Sequence, residues 1–149
     1  MEQHKRVLVV DDDSEVRRIL TTALTPLGLL VDGASDGAEA LDFLREKSYA
    51  VVLLDLLMPH VDGFDVLDAL KTDGLQSPPV VLVLTGADRS VVDRLDAQRI
   101  HGVVRKPFDP PELASLVRAC SDVRSRNTFG TMAIATIVSG APFLAWLMK

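Results

Sequence analysis

The chain holds one cysteine, Cys120, in 149 residues, which excludes an internal disulfide and a cysteine-based zinc site. It has no excess of positive charge. The formal net charge is −5, which argues against a nucleic-acid binder relying on a general basic surface. The three histidines, His4, His60 and His101, are scattered among turn and terminal residues without an i, i+4 pair, so none is expected to bind metal or relay phosphoryl groups. The N-terminal apolar run covers only residues 7–10 before three aspartates, too short for the hydrophobic segment of a signal peptide. Nothing there points to export, and a cytoplasmic protein is expected. No internal repeat and no low-complexity linker interrupts the chain, which is long enough for one core and too short for two full-sized domains.

What is present centres on residues 51–59, VVLLDLLMP. Four apolar residues lead into one carboxylate, Asp55. So short and uniformly apolar a run predicts a strand buried on both faces, as in the middle of a parallel sheet. Pro59 cannot continue a ladder, so the strand stops near Asp55. That places Asp55 at the carboxyl end of a central strand, where open α/β sheets bind their ligands.

The rest of the chain repeats this pattern. Residues 6–11 form a second apolar strand ending in acid, and Asp13 or Ser14 caps the helix that follows. Val16, Ile19, Leu20, Ala23, Leu24 and Leu27 give that helix an apolar face, and Gly28 suits its stop. A strand over 29–34 precedes a helix capped by Asp36 and running to about residue 46. After the central strand comes a helix over 63–73, then a strand over 79–84 (PVVLVL) ending at Thr85-Gly86. A helix over 90–99, a strand over 103–105 ending at Lys106-Pro107, and a helix opened by Pro110-Pro111 and reaching about residue 124 complete the series. Five strand–helix pairs in strict alternation predict a doubly wound, five-stranded parallel α/β domain over residues 4–124.

Parallel strands place their carboxyl ends on one edge, so Asp11, Asp12, Asp55, Thr85 and Lys106 should converge. Converging aspartates repel one another and call for a cation. Three carboxylates suit a hard ion such as Mg²⁺, completed by water and phosphate. With a lysine charge and a threonine hydroxyl, the set describes a site that stabilises a transferring phosphoryl group. Asp55, the most central, is the natural nucleophile or acceptor, forming an acyl phosphate.

The segments VLVVDDD (7–13), VVLLDLLMPHVDG (51–63), LTG (84–86) and KPF (106–108) together resemble the receiver domain of two-component response regulators, over about residues 5–122. The resemblance implies a flavodoxin-like fold with strand order 2-1-3-4-5 and a phosphoryl group accepted by Asp55 from a histidine kinase or histidine phosphotransfer protein. It implies Mg²⁺ held by Asp12, Asp55 and the Leu57 carbonyl, with Asp11 assisting through water. Lys106 would hold a phosphoryl oxygen, and Thr85 would turn to bond the phosphate. Output would pass to an unknown downstream protein, without nucleic acid and without a small-molecule product. The chain departs from the family at Val103, where an aromatic switch residue usually stands. It departs again at Leu57 and Ala87, apolar where many relatives are polar, which implies a poorly placed attacking water and a long-lived phosphoryl group. Cys120, on the last helix, is expected to be packed rather than reactive.

Residues 125–149 differ in character. Arg126 and Lys149 are their only charges, so residues 1–124 carry −7 against −5 for the whole chain. Residues 128–148 contain no charge and, as one helix at ~1.5 Å per residue, could cross a ~30 Å hydrocarbon core. Arg118, Arg124 and Arg126 precede this run, the asymmetry of a receiver anchored to the inner face of the plasma membrane. Gly130, Gly140 and Pro142 weigh against spanning, and packing on the receiver or on a second copy is the alternative. The tail is too short and too apolar for a DNA-binding output domain. Two rival functions stay open: a membrane-tethered scaffold with a vestigial receiver, and a phosphohydrolase with an aspartyl nucleophile. The hydrolase would want a second acid where Leu57 stands. A flavin site is disfavoured by the three aspartates after the first strand, which repel phosphate.

Overall fold

The computed structural model describes residues 5–72, 78–125 and 135–137. The elements run β1 (Arg6–Val10), α1 (Ser14–Leu24), β2 (Leu30–Ala34), α2 (Gly37–Glu46), β3 (Val51–Asp55), α3 (Gly63–Thr72), β4 (Val80–Thr85), α4 (Arg89–Val92), β5 (Gly102–Arg105), α5 (Pro110–Ser125) and β6 (Ala135–Ile137). Strands β1 to β5 form a parallel sheet in the order 2-1-3-4-5. This is the flavodoxin-like arrangement expected. Register is direct, Val9 opposite Leu53 and Leu53 opposite Leu82.

Every residue of β3 and of β4 is buried. Alternating strand residues feed two apolar layers. One contains Val7, Val9, Leu53, Leu82 and Leu84 under Leu20 and Leu24 of α1 and Leu113, Leu116 and Val117 of α5. The other contains Leu8, Val10, Leu54, Val81, Val83 and Val103 under Ala40 of α2 and Val66 and Leu67 of α3. Each fully buried Val or Leu is worth ~1.5–3 kcal/mol, so these layers hold the sheet edge rigid. Cys120 lies in the first layer, and burial pushes its thiol up to about 12, which leaves it packed and unreactive as expected.

Helix α1 stops at Leu24, three residues before the expected face ends. Pro26 has no N–H to continue the ladder, so Thr25–Leu27 tighten into a 3₁₀ turn, and Gly28 takes φ +80° to leave it. The helix expected over 90–99 shrinks to Arg89–Val92. Beyond it the bonds become i→i−3, Arg94 N–H to the Val91 carbonyl and Leu95 N–H to the Val92 carbonyl, and Asp96 closes an Asx turn on the Gln98 N–H at 2.9 Å. Two adjacent valines and two aspartates favour such turns over a continuing helix.

The apolar run over 128–148, expected to be helical, lies outside the described residues except at Ala135–Ile137. There the backbone forms a short strand rather than helix, parallel to β5 with Val103 opposite Thr136. The edge of β5 offers unpaired donors and acceptors, which a segment with two β-branched residues can satisfy. Among the described residues, no helix is long and apolar enough to cross a membrane.

Candidate functional site

Strands β1 and β3 are adjacent and in register, so Asp11 and Asp55 emerge side by side at the carboxyl edge. Both are buried, whereas Asp12 is exposed. Carboxylate oxygens of the three lie within 4.8 Å of one another. Asp11 Oδ1 accepts the Asp13 N–H at 2.9 Å, which turns the chain into α1. Its Oδ2 accepts from Lys106 Nζ at 2.6 Å, and Asp55 Oδ2 lies 3.6 Å from the same nitrogen. One lysine therefore pairs with two of the three clustered carboxylates.

This imbalance shows in the titration of the groups. Burial, and then the charge of Asp11, push the Asp55 carboxyl up to about 6 against the pull of Lys106. Burial works to lower Lys106, but the carboxylates of Asp11 and Asp55 outweigh it and hold the ammonium above its ordinary value. A partly neutralised carboxylate at the end of an otherwise apolar strand costs stability rather than adding it. Its place there is explained by chemistry.

The loop after Asp55 folds back on it. The Leu57 N–H points to Asp55 Oδ1 at 3.4 Å, and the Gly63 N–H donates to the Leu56 carbonyl at 3.0 Å. A Cβ on Gly63 would lie 2.4 Å from the Asp55 carbonyl oxygen, so this close return demands glycine. The Leu57 side chain is 53% exposed beside the carboxylates.

On the other flank, Thr85 is fully buried. Its carbonyl accepts the Lys106 N–H at 3.0 Å, which sets the lysine against the site, and its hydroxyl accepts the Ala87 N–H at 2.9 Å. Asp11, Asp12, Asp55 and Lys106 are thus one cluster, with Thr85 on the neighbouring strand end and its hydroxyl engaged locally. Val103 is a buried member of the apolar layer. His101 lies away from the cluster. Its Nδ1 accepts the Val81 N–H at 3.0 Å, and burial lowers its pKa.

Sequence reasoning passed over Arg105. Its guanidinium donates to the Ala87 carbonyl. The signal was positional, since Arg105 is the strand partner of Thr85.

The chain matches the family described as "Response regulator receiver domain" over residues 7–118. It is 36% identical over 121 residues to the "Probable transcriptional regulator ycf27" of Guillardia theta, covering 80% of this chain and 46% of that protein. It is 34% identical over 113 residues to the transcriptional regulatory protein SrrA of Staphylococcus aureus, covering 76% and 46%. The chain therefore spans about half the length of the curated relatives it matches. Among solved structures it resembles a CheY-like receiver domain protein from Methanospirillum hungatei (TM-score 0.72, 27% identity, covering 82% of this chain and 98% of that one). It also resembles the response regulator TrrA of Thermotoga maritima, solved in complex with Mg(2+)-BeF (TM-score 0.68, 29% identity, covering 78% and 98%).

Proposed function

This chain belongs to the response regulator receiver domain family of two-component signalling, and we propose that Asp55 is its phosphoryl acceptor, charged by a histidine kinase or histidine phosphotransfer protein. One observation carries the reading: a buried carboxylate at the end of β3, flanked by Asp11 and by Lys106 Nζ at 3.6 Å. The Asp55 carboxylate attacks the phosphorus of a phosphohistidine. A P–O bond forms, the P–N bond breaks, and the imidazole nitrogen leaves with the electron pair and takes a proton. Lys106 offsets charge on the transferred oxygens, and the Thr85 hydroxyl exchanges its bond with the Ala87 N–H for one with a phosphoryl oxygen.

The donor set fits Mg²⁺. Three carboxylates within 4.8 Å and too few cations are what an oxygen-seeking divalent ion requires. Asp12 and Asp55, with the Leu57 carbonyl and Asp11 in support, would hold it. When bound, it neutralises the carboxylates and the incoming phosphoryl charge.

Incubation with acetyl phosphate and Mg²⁺ tests this reading. Labelling is expected on the parent chain, labile to hydroxylamine as acyl phosphates are, and absent in Asp55→Asn. Labelling that survives Asp55→Asn refutes it. Leu57 is exposed and apolar, and with Ala87 it offers no polar side chain at those two positions to orient an attacking water. Slow hydrolysis is therefore expected, and a half-life of seconds would count against it. The same leucine disfavours a phosphohydrolase, which wants an acid there.

The output is read as contact with a downstream protein, and the chain assists only its own phosphorylation and dephosphorylation. Binding of no nucleic acid, expected from the charge, gains no support from relatives named transcriptional regulators, and a mobility-shift assay decides it. Attachment to the inner face of the plasma membrane rests on the uncharged run 128–148 and on Arg118, Arg124 and Arg126 before it. Fractionation of the full chain against one ending at Arg126 tests it, and solubility of both overturns it.

A further inference from the structure

Thr85 and Arg105 face each other across the β4–β5 pair. Side chains alternate along strands, and Val81, Val83 and Val103 all lie in the apolar layer under α2 and α3. Thr85 and Arg105 therefore project to that same face, while Lys106 turns to the carboxylates. The segment after β4 is tied down by three bonds. The Ala87 N–H donates to the Thr85 hydroxyl at 2.9 Å, the Lys106 N–H donates to the Thr85 carbonyl at 3.0 Å, and the Arg105 guanidinium donates to the Ala87 carbonyl.

Packing holds the flanks of this segment, with Ala87 buried and Val91 and Val92 against the apolar layer, but it leaves room at Gly86. A Cβ added to Gly86 would meet only Lys106 Cβ, at 3.9 Å. Downstream, α4 is four residues long and Asp88 makes no capping bond to it. Val103, buried and without a polar atom, cannot form a bond that reports where this segment stands. The Arg105 bond is charge-assisted and half-buried, a class that biases a local equilibrium by about 10- to 100-fold.

We infer that Arg105 is a positioning residue that couples Thr85 to the β5 face: it holds the Ala87 peptide in the arrangement where the Thr85 hydroxyl is occupied, and it lets go when that hydroxyl turns to a phosphoryl oxygen. Arg105 thus supplies through a hydrogen bond the linkage that Val103 lacks the chemistry to make. Release frees a guanidinium at the β4–α4–β5 surface, so the state of the site is written there as the position of one charge. The inference rests on the reading of Asp55 as acceptor.

Beryllofluoride with Mg²⁺, added to the ¹⁵N-labelled full chain, serves as the phosphoryl mimic. In the parent, the Ala87 amide and the Arg105 Nε–H resonance are expected to move together as the mimic binds. Arg105→Ala should tighten apparent beryllofluoride affinity by about 5- to 50-fold, because the bond that opposes the turned hydroxyl is gone. It should also reduce the accompanying shifts at Val103 and Val104. Arg105→Lys, which can restore a single bond, should fall between the two. A residue with only a structural role would weaken binding when removed, and it would not be rescued in this graded way. Arg105→Gln, checked for parent-like circular dichroism, replaces the alanine variant should that one fail to fold. Affinity unchanged within twofold, weaker binding, or an Arg105 resonance that stays still while Ala87 moves overturns the inference and leaves the acceptor reading intact. Absence of any Asp55-dependent shift overturns both.

Discussion

The two halves of the sheet edge are built differently. On the side of β1 and β3, each helix begins with a bonded acid. Asp13 accepts the Glu15 N–H at 2.9 Å, and Asp36 accepts the Glu39 N–H at 2.8 Å while Glu39 reaches back to the Ser35 N–H and hydroxyl. Asp62 and Asp65 satisfy each other's backbone N–H at the start of α3, at 3.1 and 3.0 Å. On the side of β4 and β5, α5 opens on Asp109, which accepts the Glu112 N–H at 3.5 Å, but α4 has four residues and the Asp88 side chain makes no capping bond to it. The difference teaches where rigidity is needed. On the reading of Asp55 as acceptor, phosphoryl transfer depends on preorganised charge and gains from fixed helices and buried strands. A switch needs two arrangements close in free energy, and a segment held by a few hydrogen bonds provides them.

Four measurements break or sharpen that contrast. The largest effect is on chemistry. Lys106→Ala removes the cation that pairs with Asp11 and Asp55 and should slow acetyl phosphate labelling by ~10²-fold or more. Thr85→Ala, on the looser flank, should slow it far less. Equal losses would erase the distinction between the two flanks.

The second contrast sets one glycine against another. In Gly63→Ala the added Cβ meets the Asp55 carbonyl oxygen at 2.4 Å and Leu56 Cα at 2.8 Å, whereas in Gly86→Ala it meets nothing closer than 3.9 Å. Urea denaturation should show a loss of ~3 kcal/mol for Gly63→Ala and a change within ~1 kcal/mol for Gly86→Ala.

Third, the Asp55 carboxylate should work against the fold that holds it. Its pKa is raised from 3.8 to about 6, so the ionised form is disfavoured in the folded state. That penalty is absent below pH 3.8, grows as the pH rises to about 6, and is complete above it. In metal-free buffer at neutral pH, Asp55→Asn should therefore be more stable than the parent by ~1–2 kcal/mol. Melting curves with chelator should show the gap closing near pH 4, and added Mg²⁺ should narrow it by stabilising the parent alone. A less stable Asp55→Asn would mean that the carboxylate is structural.

The smallest effect compares two caps. Asp36→Ala should cost ~1 kcal/mol, and Asp88→Ala should stay within ~0.5 kcal/mol. A matching loss at Asp88 would show that α4 is held more firmly than its bonds indicate.

Much of this was readable along the chain. The buried strand at 51–55, the acid at its end and the alternation of five strands and helices are patterns of contiguous residues. The same holds for Asp13 and Asp36 as caps, which act on backbone two or three residues away. Where reading failed, distance or competition was the cause. Helix α4, expected over 90–99, was overestimated because a reading of local pattern does not register the Asx turn made by Asp96. The shortened α1 follows from Pro26, whose missing donor outweighed the apolar spacing. Arg105 stood only as the last residue of a strand, and nothing nearby in sequence marks Ala87, 18 positions away, as its partner.

By itself the sequence determined the βα alternation, the two-sided burial of β3 and the delivery of three aspartates, a threonine and a lysine to strand ends. Those properties arise from hydrophobic period and strand polarity, which short segments carry on their own. The tertiary structure alone decided that one lysine serves both Asp11 and Asp55, and that Gly63 must close on the Asp55 backbone. It alone decided that Thr85 stands opposite Arg105. These depend on register between strands joined by long crossovers, and register is settled by the packing of two whole layers.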